Sequence, residues 1–207
     1  MTVDAIVQFG EQVSEAEMVA AFGQAEIDSS RYQRMWLSGL DAHHRTRSVF
    51  DTAHHNDPAE NALRGKVLGA TRGYPDAGLF EGFPANVRWY RGSIQRRDIG
   101  NLRYGDHDAW KQFSGGSRLV GDGAANIDKI QIIDNANATI KTIAGRILRG
   151  DNLADPIVVA TGQEGPFVVL EGHFRATAYA LASLTAPEPA VSFIVGLSPD
   201  LVAWRYL

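Results

Sequence analysis

Residues 156–184, PIVVATGQEGPFVVLEGHFRATAYALASL, decide the fold of this chain. The β-branched runs 156–160 and 167–170 are separated by a short turn that contains glycine, and this spacing predicts an antiparallel hairpin. The pair Glu171-Gly172 interrupts the second run, and the alanine-rich segment 175–184 then predicts a helix. A hairpin that runs directly into a helix is typical of a mixed α/β fold.

The segments on either side extend this unit. Residues 127–133 predict a strand, and Asp134 or Asn135 can cap the helix that follows. The apolar positions of that helix fall on one face: Ile140, Ile143, Ala144, Ile147 and Leu148. Residues 190–195 predict a further strand. The order strand, helix, hairpin, helix, strand indicates the α/β class of the α+β type, a mixed sheet with flanking helices.

The corner between the second hairpin strand and its helix carries a candidate anion site. The first amides of a helix lack internal partners and attract phosphates. Gly172 permits a close backbone approach, Arg175 can grip phosphate oxygens with two parallel bonds, and His173 can donate a further bond or carry a proton. Glu171 can hold Mg²⁺ or act as a general base. The plain alternative is a helix cap at Glu171 and a surface ion pair at Arg175.

The residues PIVV at 156–159 and FVVLEGHFRATA at 167–178 resemble the nucleotide-binding core of the ParB/sulfiredoxin-like superfamily, which is marked by a "PIvV … viDGhHR … A" pattern. The resemblance covers residues 126–195. It implies that Gly172, His173, Arg175 and Thr177 contact a bound nucleotide, which would be ATP, ADP or CTP with Mg²⁺.

Glu171 stands where the superfamily's kinases of free serine have the aspartate of a "DGHHR" box, so the resemblance implies that Glu171 holds the metal. Phe174 replaces the second histidine of that box. The resemblance also implies catalytic roles for Glu171 and His173, with Asp134 as a candidate for the glutamate that the serine kinases carry after their first strand.

Two activities of the superfamily remain open for this chain. Sulfiredoxin chemistry requires a cysteine, and the chain has none. Segregation proteins of the ParB type continue into a DNA-binding domain, whereas only residues 198–207 follow the last predicted strand. We therefore expect a nucleotide-dependent phosphotransferase that acts on a small molecule such as an amino acid or hydroxy metabolite. The alternative is a non-catalytic nucleotide-binding protein, regulatory or ParB-like and associated with DNA.

The composition supports a globular protein without a nucleic-acid partner. Hydrophobic residues make up 44% and charged residues 21% of the 207 residues, and the formal net charge of −4 provides no overall basic field for DNA or RNA. No apolar run is long enough to cross a membrane, and the first residues do not match a signal peptide. A cytoplasmic location is the expectation. The sequence does not specify the nucleotide base, the acceptor or the oligomeric state.

The first part of the chain, residues 1–113, predicts a mainly helical extension that covers the nucleotide corner and shapes substrate choice, with the nucleotide-binding core in 114–207. Ser14 and Glu17 form a capping-box pattern at the start of a helix. Residues 29–45 predict a second helix with large core positions at helical spacing: Tyr32, Met35, Trp36 and Leu40. Residues 59–68 predict a further helix, 87–91 a strand and 93–99 a short helix.

A glycine-rich turn precedes the core. Backbone amides around Gly115 and Gly116 can form an anion nest, in which Ser114, Ser117 and Arg118 would face the same pocket as Arg175 or bind the acidic end of a substrate. The alternative is a plain turn.

Two polar segments have weaker functional interpretations. The histidines His43, His44, His54 and His55, with Asp51 and Asp57, can bind a divalent metal, although their spacing favours a solvated loop. The basic and aromatic segments 88–97 and 103–104 can stack bases or contact phosphate, although strand aromatics usually pack in the core.

Overall fold

A computed structural model describes residues 6–29, 32–132 and 135–207 of the chain. Six strands and eight α-helices are found within these ranges. The strands are β1 Gln8–Val13, β2 Arg88–Gln95, β3 Arg103–Tyr104, β4 Ile157–Ala160, β5 Val168–Glu171 and β6 Ala190–Leu197. The helices are α1 Glu15–Ile27, α2 Gln33–Asp41, α3 Ser48–Asp51, α4 Pro58–Arg72, α5 Asp108–Phe113, α6 Val120–Ala125, α7 Ala136–Leu148 and α8 His173–Ser183.

The six strands form one mixed sheet in the order β1-β2-β6-β4-β5-β3. β4 and β5 pair in antiparallel fashion, as the hairpin pattern predicted, and β6 runs parallel to β4. The strands β1 and β2 come from the predicted N-terminal extension but join the same sheet through β2 and β6. The mixed α/β class is therefore confirmed, and the sheet is continuous across the boundary predicted at residues 113 and 114.

Two layers of helices cover the sheet. Neighbouring residues of β4 point to opposite faces, so that Val158 packs with α6, α7 and α8 while Ile157 and Val159 pack with α1, α2, α3 and α4. Because both faces are covered, the central strands read as continuous apolar runs: all four residues of β4 are 0% exposed. The N-terminal helices α1 to α4 thus pack on the face of the sheet that includes Leu170, next to the predicted corner at Glu171.

Several local predictions are confirmed. Ser14 and Glu17 form the capping box at the start of α1. α4 covers the helix predicted at 59–68, and α7 buries Ile140, Ala144 and Ile147 on the predicted face. Leu148 at the end of that helix is 46% exposed, so its assignment to the buried face was wrong.

The strand predicted at 127–133 is wrong over its described part, residues 127–132. This segment has no strand partner because a side chain satisfies its backbone: Asn137 Nδ2 donates to the carbonyls of Ile127 and Ile130, each at 2.7 Å. The apolar residues here are anchored by one asparagine of α7. Asn135 is the N-cap residue of α7 but makes no side-chain cap bond, and Asp134 lies outside the described residues.

Three further differences follow from packing. The helix predicted at 93–99 is strand up to Gln95, because residues 93–95 pair with 190–192 of β6, and a 3-10 turn takes up 96–101. β1 was not predicted, since it is polar and pairs on one side only. On α2, Trp36 and Leu40 are buried as predicted, but Met35 is 39% exposed because it points away from the sheet-facing side of this short helix.

Gly196 gives a test of the packing between β2 and β6. It pairs with Trp89, and a Cβ placed at Gly196 would lie 2.5 Å from Cζ3 of the buried indole. We expect Gly196→Ala to lower the free energy of unfolding by about 1–3 kcal/mol, since the ring must shift within a close-packed core. Gly162→Ala is the matched control, because nothing lies within 4 Å of its added methyl group. Urea unfolding of both variants measures the difference, and equal values would contradict the close contact.

Candidate functional site

The predicted corner is present at the start of α8. β5 ends at Glu171, Gly172 takes a left-handed conformation with φ of 92°, and the helix begins at His173. Gly172 is the N-cap residue and has no side chain with which to cap the helix. The Glu171 carboxylate accepts a hydrogen bond from the backbone of Gly172. A Cβ at Gly172 would lie 2.9 Å from Pro156 Cβ and 3.0 Å from Arg175 Nη2, so the Arg175 guanidinium is folded back over the first turn. The strand, tight turn and helix therefore bring Glu171 and Arg175 together.

Glu171 and Arg175 form a buried ion pair, in which Arg175 Nη2 donates to Glu171 Oε2. Each side chain is 12% exposed, so the simple alternative of a surface ion pair does not describe this arginine. Burial raises the pKa of Glu171 to about 7, against the opposing effect of the nearby Arg175 charge. Arg175 Nε is also buried, and within the described ranges it has no hydrogen-bond partner. The corner thus holds a desolvated guanidinium with unused donor capacity.

A second buried ion pair lies behind the first. Arg72 of α4 donates to Glu26 of α1, whose other oxygen accepts a 3.3 Å bond from Trp36 Nε1. Burial raises the pKa of Glu26, and the charge of Arg175 acts against this shift. In the same way Glu26 raises and Arg72 lowers the pKa of Glu171. We call Glu26, Arg72, Glu171 and Arg175 the charge cluster, which joins the N-terminal helices to the corner.

The sequence predicted only two of the four residues of the charge cluster. Glu171 and Arg175 belong to a recognisable corner, whereas Glu26 and Arg72 are 46 residues apart and were not predicted. The one available signal was Glu26 itself, a single carboxylate between the buried residues Ala25 and Ile27 of α1. A charge at such a position requires a partner, because an unpaired buried carboxylate is strongly unfavourable.

His173 and Thr177 point away from the charge cluster. His173 Nε2 accepts a 3.3 Å bond from the amide of Gly105, and its ring stacks on Trp110 at 5.1 Å between ring centroids. Thr177 is 0% exposed, and its hydroxyl bonds to Tyr104 Oη and to the carbonyl of His173, each at 2.7 Å. Thr177 is therefore a buried core residue in this structure, and the nucleotide contact that the resemblance implies for it stays a prediction.

The glycine turn is held by local bonds. Gly115 and Gly116 have positive φ, as predicted for such a turn. Ser114 is 3% exposed and Ser117 bonds to Asp122 at 2.5 Å. Arg118 donates to the carbonyls of Tyr104, Tyr206 and Leu207, so it fixes the last residues of the chain. None of the described bonds joins these three side chains to Glu171 or Arg175, and the predicted shared pocket is not formed by them here.

The other polar segments were predicted to bind a metal or to stack on bases. Within the ranges that the structure covers, no three His, Cys, Asp or Glu side chains are grouped to hold a metal, either near the four histidines or at Glu171. His54 instead lies 3.4 Å from Glu60. In the basic and aromatic segment, Trp89 and Tyr104 are 2% and 0% exposed and therefore cannot stack on bases.

Asp155 and Arg91 are neighbours of the corner. Asp155 was not predicted as a site residue, and Arg91 was assigned only to the basic and aromatic segment 88–97. Asp155 directly precedes Pro156, and burial raises the pKa of its carboxyl while Arg91 and Arg175 oppose the shift. Arg91 Nη1 lies 3.7 Å from Asp155 Oδ2. The position of Asp155 in the loop just before a buried strand was a usable signal, since binding residues are often found on loops.

Comparisons with models of known protein families, with curated proteins and with solved structures gave no match. None of the helices in 6–29, 32–132 and 135–207 is long and apolar enough to span a bilayer. The functional interpretation therefore depends on the corner and its surroundings.

Proposed function

We propose that this chain binds a nucleotide through the corner at the start of α8 and transfers a phosphoryl group to a small acceptor. The observation that supports this proposal is the buried Glu171–Arg175 pair in the first turn of a helix whose N-cap residue is a glycine. Helix amides and a guanidinium are the groups that phosphate oxygens prefer. The resemblance of residues 126–195 to the ParB/sulfiredoxin-like core adds a second reason for a nucleotide.

Glu171 acts in this proposal as the counter-ion that a phosphate displaces. While the site is empty, its carboxylate neutralises Arg175 in a place where an unpaired guanidinium would be costly. A phosphate that binds Arg175 takes over that role, and Glu171 then loses its nearest cation. With a pKa of about 7, Glu171 can accept a proton at that moment and remain buried as a neutral acid.

Mg²⁺ fits this corner only together with the nucleotide. Magnesium is commonly held by one or two carboxylates and by the phosphates of the substrate, so a protein cage of three ligands is not required. Glu171 and Asp155 are the carboxylates that could contribute, and bound Mg²⁺ would neutralise phosphate charge. Asp155, which lies outside the ion pair, is the carboxylate best placed to accept a proton from an acceptor group.

The proposal predicts how nucleotide affinity depends on pH. Above about pH 7 Glu171 is ionised and competes with phosphate for Arg175, whereas below that value it is protonated and releases Arg175. Affinity without Mg²⁺ should therefore increase as pH falls from 8.5 to 6.5, by up to about tenfold per pH unit above the pKa. Calorimetric titration in two buffers of different ionisation enthalpy measures the proton uptake directly.

Glu171→Gln is the control for the pH dependence. A neutral amide cannot titrate, so the slope and the proton uptake should both disappear in this variant, while the titration of the nucleotide's own phosphate remains. If affinity in the presence of Mg²⁺ instead decreases as pH falls, and Glu171→Gln removes that decrease, Glu171 holds the metal and the counter-ion role is wrong.

A non-catalytic nucleotide-binding protein is the second candidate. It is favoured by the direct engagement of Glu171 by Arg175, which occupies the carboxylate that would otherwise serve catalysis. A thermal-shift panel of ATP, ADP, CTP and GTP, with and without Mg²⁺, tests binding for both candidates. ADP or AMP formation from the bound nucleotide with amino acids and hydroxy metabolites separates them. Binding without product would favour the second candidate, and no shift with any nucleotide would refute both.

A further inference from the structure

A cavity of about 350 Å³ lies between α1, the segment after α3 and the sheet. Its volume falls in the range of sites for small molecules, roughly 300–1,000 Å³. Ala20 and Ala21 of α1 and Ile194 of β6 provide an apolar surface, and Glu17, His55 and Asp155 provide polar groups. The cavity therefore suits a small molecule with an apolar body and a polar end.

The charges around this cavity are unequal. Glu17 and Asp155 share the guanidinium of Arg91. Arg91 Nη2 lies 3.6 Å from Glu17 Oε1, and Arg91 Nη1 lies 3.7 Å from Asp155 Oδ2. Both separations exceed the length of a good hydrogen bond. Glu17 Oε2 already accepts the capping-box bonds from Ser14, at 2.9 and 3.2 Å. Acceptor capacity therefore remains at Glu17 Oε1 and at the Asp155 carboxylate. Arg91 is 49% exposed and is also drawn outward by Glu11 at 3.6 Å. The lining thus has an excess of negative charge.

Two acceptor groups at the cavity lack hydrogen-bond donors. Asp155 is 30% exposed and, within the described ranges, its carboxylate accepts no hydrogen bond; its only described contact is the long one to Arg91. His55 Nδ1 is buried and has no partner among the described residues, and it is an acceptor in the neutral tautomer that carries its proton on Nε2. Asp51, by contrast, is already satisfied by Arg47 at 2.6 and 2.9 Å. A ligand with several N–H groups would supply donors to the partly exposed Asp155 carboxylate and to the buried His55 nitrogen.

We propose that this cavity binds a small primary amine, with its ammonium group between Asp155 and Glu17. The alkyl part of the amine lies over Ala20, Ala21 and Ile194, and an N–H group reaches His55 Nδ1. An ammonium ion has three donors and a positive charge, so it matches both the charge excess and the unused acceptors. Arg91 turns outward to Glu11 when the amine enters.

Amine binding can be tested apart from nucleotide binding. Arg175, which the proposed nucleotide site uses for phosphate, does not line the cavity, whereas Asp155 is common to both proposals. Titrations of the full chain without nucleotide and without Mg²⁺ therefore test the amine site, and the nucleotide panel without Mg²⁺ tests phosphate binding at Arg175.

Calorimetric titration at pH 7 with n-butylamine, 1,4-diaminobutane and 1-butanol tests the proposal. We expect both amines to bind and 1-butanol, which has the same apolar body without the charge, to show no binding. Asp155→Asn should weaken amine binding at least about tenfold, because it removes one charge of a charge-assisted bond. Asp76→Asn is the matched control, since Asp76 is exposed and distant from the cavity lining, and it should leave the affinity unchanged.

A second variant tests the location of the amine without changing charge. Ala21→Leu places a larger side chain in the cavity and should abolish amine binding, while circular dichroism and the melting temperature show that the protein is folded. The proposal is wrong if neither amine binds at concentrations up to about 10 mM, or if Asp155→Asn or Ala21→Leu binds as well as the unmodified protein. It is also wrong if β-alanine binds more tightly than n-butylamine, since Arg91 would then dominate recognition.

Discussion

Arg175→Ala is expected to remove the thermal stabilisation by nucleotide and to weaken nucleotide binding by roughly 100-fold, since paired charge-assisted bonds to phosphate are lost. The same change leaves Glu171 buried without its cation, which costs about 3–5 kcal/mol for a typical buried pair. Glu171 relieves part of that cost by protonation, because its pKa is already about 7. Arg175→Ala should therefore be most unstable at alkaline pH and should recover stability as pH falls.

A neutral pair separates the effect on binding from the effect on folding. Glu171→Gln with Arg175→Met removes both buried charges and retains much of their volume, so its stability should be close to that of the unmodified protein. This double variant should nevertheless show no increase in melting temperature when nucleotide is added. Arg97→Met changes an arginine that is 61% exposed and should preserve both properties. A neutral pair that still binds nucleotide would show that Arg175 is not the phosphate contact.

The fold was most predictable where local chemistry determines it. The β4–β5 hairpin follows from two β-branched runs and a short turn, and the break before α8 follows from Gly172, which adopts φ of 92°. The capping box at Ser14 likewise depends only on residues three apart. These features involve near neighbours in the chain, so the pattern of residue types is sufficient to predict them.

The parts of the fold that were missed depend on distant contacts. β1 exists because β2 provides an edge for it, and residues 127–132 do not form a strand because Asn137 takes their carbonyls. The second half of the charge cluster has the same origin, since it forms only when α1 and α4 pack on the sheet. Asp155, in the segment before β4, meets Arg91 of β2 only after the sheet has formed. No local pattern encodes these pairings.

Arg72→Ala should cause a loss of stability comparable to that in Arg175→Ala. It leaves the Glu26 side chain, which is 4% exposed, with the Trp36 indole as its remaining hydrogen-bond donor. We expect Arg72→Ala to lower the free energy of unfolding, measured in urea, by about 3–5 kcal/mol. The double variant Glu26→Gln with Arg72→Met should lower it much less, because neither charge remains. Equal losses in the single and double variants would show that lost packing outweighs the unpaired charge.

The pH dependence of nucleotide binding distinguishes a coupled charge cluster from two independent ion pairs. Glu26 raises the pKa of Glu171 and Arg72 lowers it. The midpoint of the affinity change should therefore move to lower pH in Glu26→Gln and to higher pH in Arg72→Met. Arg64→Met is the matched control, because Arg64 is a fully buried arginine paired with Glu60 and has no described contact with the corner. It should reduce stability but leave the midpoint in place. An unchanged midpoint in all three variants would mean that the N-terminal helices support the corner only by packing.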